Sequence, residues 1–194
     1  MDITIIKYNA GNVQSMIYAL ERLGIKPALS DDPEVIKVSE KVIFPGVGEA
    51  STTMRYLRKN GLDKLIPALK QPVLGVCLGL QLMCAYSEEG DTECMGIFDT
   101  RVRKFPAGKL KVPHMGWNLI DTDNSPLWKD LPADPYVYFV HSFYAEKDPS
   151  GIAQTDYGLS FSAALHKDNF YAVQFHPEKS GEVGSKILEN FLSI

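Results

Sequence analysis

Short apolar runs that alternate with helix-like stretches dominate the first half of this chain. ITIIKY (Ile3–Tyr8) reads as a buried strand, residues 10–12 as a turn, and Val13–Gly24 as a helix stopped by its glycine. KPALS (Lys26–Ser30) is a second short strand. KVIFPGVG (Lys41–Gly48) is a third, ending in a Gly/Pro turn, and Glu49–Asn60 is helical with Gly61 behind it. PVLGVC supplies the next strand and LGLQLMCAY the next helix. Such alternation predicts βαβ units on a parallel sheet. The second half differs: RVRKF, VPHMGWNLI, YVYFVHSFYAE, GLSFSAAL and FYAVQFH are β-rich runs with tight connections. They predict antiparallel additions on one edge of the sheet, and EVGSKILENFL an amphipathic closing helix. With no repeat, low-complexity segment or linker, residues 1–194 predict one α/β domain: a single open, mostly parallel sheet flanked by helices.

At 45% apolar residues the chain can bury a sizeable core. A net charge of −4 without any dense Lys/Arg run argues against a nucleic-acid partner. No apolar stretch approaches the roughly 18–20 residues of a membrane helix, and MDITIIKYNAG lacks the pattern of a signal peptide. Three cysteines, Cys77, Cys84 and Cys94, without CxxC spacing, predict neither a disulfide scaffold nor a zinc site but a reducing cytoplasm. The first βα turn, NAGN, lacks the glycines of a dinucleotide-binding fingerprint.

The run GVCLG places Cys77 between Gly75 and Gly79 where a strand passes into a helix. This is the cysteine version of a nucleophile elbow, with the side chain exposed at the tip of a strained turn. There the helix N-terminus favours thiolate over thiol, and the Leu78 N–H faces an oxyanion formed on an attacked carbonyl. Cys84 and Cys94 lack the glycine frame. Of the four histidines, His176 in FHPE is distinctive, because Pro177 biases it toward extended backbone, where residues two apart point the same way. Glu178 then reaches the His176 ring and fixes its tautomer, leaving the other nitrogen for Cys77. Asp168 beside His166 is a weaker pair, in a stretch that reads as a turn. FPGVG (Phe44–Gly48) ends the preceding strand and should lie beside the elbow, offering backbone N–H groups.

Together FPGVG, GVCLGLQ and FHPE, in this order and with the long gap from cysteine to histidine, resemble the class I, triad-type glutamine amidotransferases over nearly the whole chain. The resemblance implies hydrolysis of the glutamine side-chain amide through a Cys77 thioester, with ammonia released to a synthase partner. PGVG, VPHMGWN, YFVHSFY and Leu80 before Gln81 look like the branch of that family serving imidazole glycerol phosphate synthesis in the histidine pathway. By that resemblance Cys77 is nucleophile, His176 base and acid, and Glu178 orienter; Val47 and Leu78 supply oxyanion N–H groups. Gln81 holds the substrate glutamine, Glu89 meets its α-ammonium, and Gly48, Ser142 and Phe143 offer further contacts. Phe143 stands where the family often has tyrosine. The implied partner is a (β/α)8-barrel cyclase subunit in a heterodimer, with Asn12, Trp117, Tyr138 and Lys179 at the interface, and no cofactor or metal. Trp117 and Tyr138 have the composition of interface anchors. A flip of the Gly46–Val47 peptide is the expected switch, aiming a carbonyl rather than a donor at the oxyanion. Other readings are a glutaminase for an anthranilate or pyridoxal phosphate synthase, a cysteine peptidase or stress-response hydrolase of similar sheet, or a non-catalytic module.

Overall fold

The computed structural model of the chain describes residues 1–8, 13–108 and 110–194. The first half runs β1 (Ile3–Ile6), α1 (Gln14–Arg22), β2 (Ala28–Ser30), α2 (Pro33–Val38), β3 (Lys41–Phe44), α3 (Ala50–Lys59), α4 (Leu62–Ala68), β4 (Val73–Val76) and α5 (Leu78–Met83). The second half adds β5 (Tyr86–Ser87), β6 (Thr92–Glu93), β7 (Arg101–Lys104), β8 (His114–Leu119), β9 (Asp121–Thr122), β10 (Tyr136–His141), β11 (Phe143–Ala145), β12 (Gly151–Asp156), β13 (Ser160–Lys167), β14 (Phe170–Val173) and α6 (Gly181–Ser193).

The main sheet has the order β2-β1-β3-β4-β14-β13-β11-β7-β5-β6, with β12 and β9 branching from β13. The pairs β1–β2, β1–β3, β3–β4 and β4–β14 are parallel; β14–β13, β13–β11 and β11–β7 are antiparallel. A mostly parallel sheet with antiparallel additions is thus the architecture. FYAVQFH does more than extend an edge, since β14 lies parallel beside β4 in the middle of the sheet. Among the described residues β8 and β10 pair only with each other, as a separate two-stranded ribbon.

Parallel strands are covered by helices on both faces, so they read as unbroken apolar runs. Every residue of β1, β3, β4 and β14 is buried. Alternate side chains serve two cores. Ile5, Ile43, Leu74 and Val173 face one side with Leu20 of α1 and Phe191 of α6. Ile6, Phe44, Val73 and Ala172 face the other with Met54 of α3, Ile66 of α4 and Leu80 of α5.

Two helices escape the sequence reading. α2 has a short apolar period, yet Asp32 caps it by accepting from Glu34 N–H at 2.9 Å, with Pro33 in the first turn. α4 follows Gly61, which turns the chain at φ 68° directly after α3. No helix among the described residues is long and apolar enough to cross a membrane.

Candidate active site

Three neighbouring parallel strands, β3, β4 and β14, deliver their carboxyl ends to one place. Open α/β sheets bind ligands at such ends. β3 leads into the Pro45–Gly48 loop, β4 into Cys77, and β14 into Gln174–Glu178. These segments meet Ser142 and Phe143 around a cleft of about 350 Å³, also lined by Val47, Gly48, Leu78, Gln81, Glu89 and Lys179. A larger cleft of about 540 Å³, beside α6, touches Glu178 and Lys179 from behind but neither Cys77 nor His176.

Cys77 stands at the tip of the turn with φ 53° and ψ −106°, a conformation that L side chains rarely adopt. The elbow is tight because its glycines allow no side chain. A Cβ on Gly79 would sit 2.2 Å from the Phe44 carbonyl oxygen, and one on Gly46 2.4 Å from the Leu78 nitrogen. The PGVG loop is therefore pressed onto the elbow backbone, as the strand order requires. The buried Tyr8 hydroxyl donates to the Pro45 carbonyl of this loop at 2.5 Å; burial raises its pKa, and the neighbouring Val47 backbone partly offsets that rise.

His176 is 3% exposed and its Nδ1–H donates to Glu178 Oε1 at 2.8 Å. A carboxylate can only accept, so Nε2 is left to meet Cys77. Glu178 arrives by a 3-10 turn over Pro177–Lys179, not by the extended backbone that the proline spacing predicts; only His176 itself is extended, at φ −102°, ψ 96°. The turn forms because Lys179 N–H reaches back to the His176 carbonyl at 3.0 Å. Burial disfavours the charged ring, but the charge and hydrogen bond of Cys77, then those of Glu178, outweigh it and raise the His176 pKa to about 10. His166 takes no part: it hydrogen-bonds the Asp168 carbonyl in an exposed turn and stacks on Tyr171.

The expected glutamine contacts lie in the cleft with particular orientations. Gln81 is buried, and its Nε2 donates to the Phe143 carbonyl at 2.9 Å and to Gln174 Oε1 at 3.1 Å. Glu89 accepts from Ala50 N–H at 2.8 Å; burial pushes its carboxyl pKa up, against that bond, with Glu49 adding to the rise. Trp117 and Tyr138 face each other across the ribbon, ring centroids 6.0 Å apart. Tyr138 is also tied to the histidine: His176 N–H donates to its carbonyl at 2.9 Å, and its own N–H donates to Ser180 Oγ at 2.9 Å. Asn12 lies outside the described residues.

Three groups here have no counterpart in the sequence reading: Tyr8, Gln174 and the paired rings of His114 and His141. Gln174 is fully buried and its Nε2 lies 3.7 Å from Cys77 Sγ. Its one signal in the sequence is a polar residue interrupting the apolar run Tyr171–Phe175.

A cysteine elbow and a carboxylate-held histidine at the carboxyl ends of a parallel sheet define a hydrolase of the cysteine-triad type. The sequence pattern of glutamine amidotransferase class-I matches residues 4–194, and the chain belongs to that family. Among its relatives is the imidazole glycerol phosphate synthase subunit HisH of Bacteroides fragilis, 57% identical over 196 residues with both chains fully covered. The HisH subunits of Bacteroides thetaiotaomicron and Yersinia pestis are 55% and 44% identical over the same span. Solved structures share the fold at low identity. One is a glutamine amidotransferase with TM-score 0.76 and 17% identity, covering 98% of this chain and 97% of that one. Another is the PurLQS structure from Thermotoga maritima, with TM-score 0.75 and 18% identity, covering 99% and 97%.

Proposed function

We propose that residues 1–194 form one glutaminase domain that hydrolyses glutamine to glutamate and ammonia and passes the ammonia to the (β/α)8-barrel cyclase subunit of imidazole glycerol phosphate synthase in histidine biosynthesis. The observation that carries the reaction is the shared cleft of Cys77 and His176, with the ring held by Glu178. The relatives' common name carries the pathway.

Cys77 Sγ attacks the side-chain carbonyl carbon of glutamine, and the carbonyl electrons move to oxygen. The Leu78 N–H, and the Val47 N–H once the Gly46–Val47 peptide turns, stabilise that oxyanion. The C–N bond then breaks as His176 gives its proton to the departing ammonia, leaving a thioester. Thioester formation removes the sulfur's interaction with the ring, which helps hold the His176 pKa at about 10. The ring's affinity for a proton drops, so it serves as acid in the first half-reaction and as base toward water in the second. Water then releases glutamate. Glu89, a half-buried carboxylate on the cleft wall, meets the α-ammonium of glutamine. Gln81 and the Gly48, Ser142 and Phe143 segments fit the rest of the substrate. No metal or organic cofactor enters these steps.

The partner surface is the β8–β10 ribbon. Met115, Trp117, Leu119 and Tyr136 are exposed on it, an apolar band of the kind that marks a protein interface. Trp117, Tyr138 and Lys179 are its anchors, and the Tyr138 carbonyl on His176 N–H joins this surface to the triad. Three free cysteines suit a reducing cytoplasm.

Glutamate release is measured for the chain alone, with the barrel subunit, and with the barrel plus its nucleotide substrate. Strong activation in the last mixture supports the whole reading. Activity indifferent to the barrel keeps the triad and rejects this partner. No activity anywhere, with Cys77 unmodified by a glutamine analogue, rejects the glutaminase.

A further inference from the structure

A buried polar chain runs beneath the cleft and ends on the Cys77 sulfur. It is anchored at the Phe143 carbonyl, which can only accept hydrogen bonds. On one side His141 Nδ1 lies 2.7 Å from that oxygen, so Nδ1 carries the proton and Nε2 accepts. His114 Nδ1, 3.0 Å from His141 Nε2, is then the donor, and His114 Nε2 is left facing Asn118 Nδ2 at 3.4 Å. Packing holds both rings: His114 stacks on Tyr157 at 4.0 Å, and Phe105 and Phe161 flank His141 at 5.3 and 5.4 Å. Burial lowers their pKa values to about 4 for His114 and about 3 for His141, so the pair is neutral near pH 7 and its tautomers are set.

On the other side the Gln81 atom 2.9 Å from the same carbonyl must be its NH2 group. That nitrogen also reaches Gln174 at 3.1 Å, so the Gln174 atom facing it must be oxygen. The remaining end of the Gln174 amide, 3.7 Å from Cys77 Sγ, is therefore its NH2 group. The usual ambiguity of amide orientation is removed by one backbone carbonyl.

We propose that Gln174 is a positioning residue for the Cys77 nucleophile, offering the sulfur an amide N–H whose orientation is imposed by Gln81 and the Phe143 carbonyl, with the His114–His141 pair bracing that carbonyl. The inference rests on Cys77 being the nucleophile. A donor at this point favours the anionic sulfur and restricts its swing toward the Val140 carbonyl of β10, 3.9 Å away. Gln174 does not line the cleft, so it acts on sulfur and not on substrate.

The test is the rate of Cys77 alkylation by iodoacetamide near neutral pH in the full chain, resolved from Cys84 and Cys94 by peptide mass spectrometry. Gln174→Met keeps the volume and removes the donor; it is expected to slow alkylation about ten-fold, the scale of one buried hydrogen bond to a charged group. Gln81→Met should slow it as well, and the double variant should be no slower than Gln174→Met alone, because the two act in series. Should the methionine variant fail to fold, Gln174→Asn, which withdraws the donor by one methylene, is expected to shift the rate the same way. In the complex, Gln174→Met should lower glutaminase kcat with KM unchanged, whereas Gln81, which lines the cleft, can also move KM. Folded variants that alkylate at the wild-type rate, or independent effects that multiply, overturn the proposal. A wild-type chain without glutaminase activity but with the expected alkylation series overturns the proposed function and leaves Gln174 in its role.

Discussion

Tyr8 and Val47 show how much one backbone donor decides at the active site. The Tyr8 hydroxyl is anchored on the Pro45 carbonyl of the loop that carries Val47, and the Val47 backbone beside it offsets part of the rise that burial imposes on its pKa. Removing the hydroxyl releases the loop from its bond at Pro45. Tyr8→Phe is therefore expected to raise the partner-free rate of glutamate release several-fold and to shrink the partner's stimulation; an unchanged basal rate would sink the Gly46–Val47 switch in this form. That Cys77, His176 and Glu178 come together at one cleft was legible in the sequence, because each sits in a local pattern, a glycine frame or a proline neighbour. Tyr8, Gln174 and His141 were not, because their roles come from partners 37, 97 and 27 residues distant.

Among the elements, the β4–α5 elbow tolerates least change. Gly79 packs onto the Phe44 carbonyl so closely that a methyl group would fall 2.2 Å from it, and backbone on both sides leaves little room to yield. Gly79→Ala is expected to cost at least about 2 kcal/mol in denaturant unfolding and to displace Cys77, abolishing alkylation by a glutamine analogue. A variant with wild-type stability would mean that the loop and elbow can separate freely. The ribbon of β8 and β10 is the converse: among the described residues it pairs with no other strand, and it exposes Met115, Trp117, Leu119 and Tyr136 on its outer face. Trp117→Ala should weaken binding of the barrel subunit by about 2 kcal/mol, read by calorimetry, while leaving the chain's own melting temperature within a few degrees.

For the whole molecule, pH acts through buried histidines of opposite sign. His114 and His141 have folded pKa values lowered by burial to about 4 and about 3. Between an unfolded value of about 6.5 and those limits the unfolded chain binds more protons, so stability falls as pH falls through that window. Urea unfolding should show a loss on the order of 1–2 kcal/mol for each ring between pH 7 and 5, and His141→Asn should flatten the slope. His176 is opposite: its pKa is raised to about 10, against burial, by the charges of Cys77 and Glu178. Its contribution is full below about pH 6.5 and is lost as pH rises through about 10, and His176→Gln should remove that alkaline loss.

Local pattern was enough to specify β1, β3 and β4, the helices with clear apolar period, and the glycine-framed elbow, because each depends on neighbours within a few residues. The fold class and the meeting of Cys77, His176 and Glu178 thus follow from the residues alone. Tertiary structure alone decided that β14 enters the middle of the sheet beside β4, that Glu178 reaches His176 through a 3-10 turn, and that Gln81 turns its amide nitrogen to Phe143 and Gln174. Strand order and hydrogen-bond direction are set by which surfaces meet across the core. Those meetings join residues far apart in the chain, where no sequence period can register them.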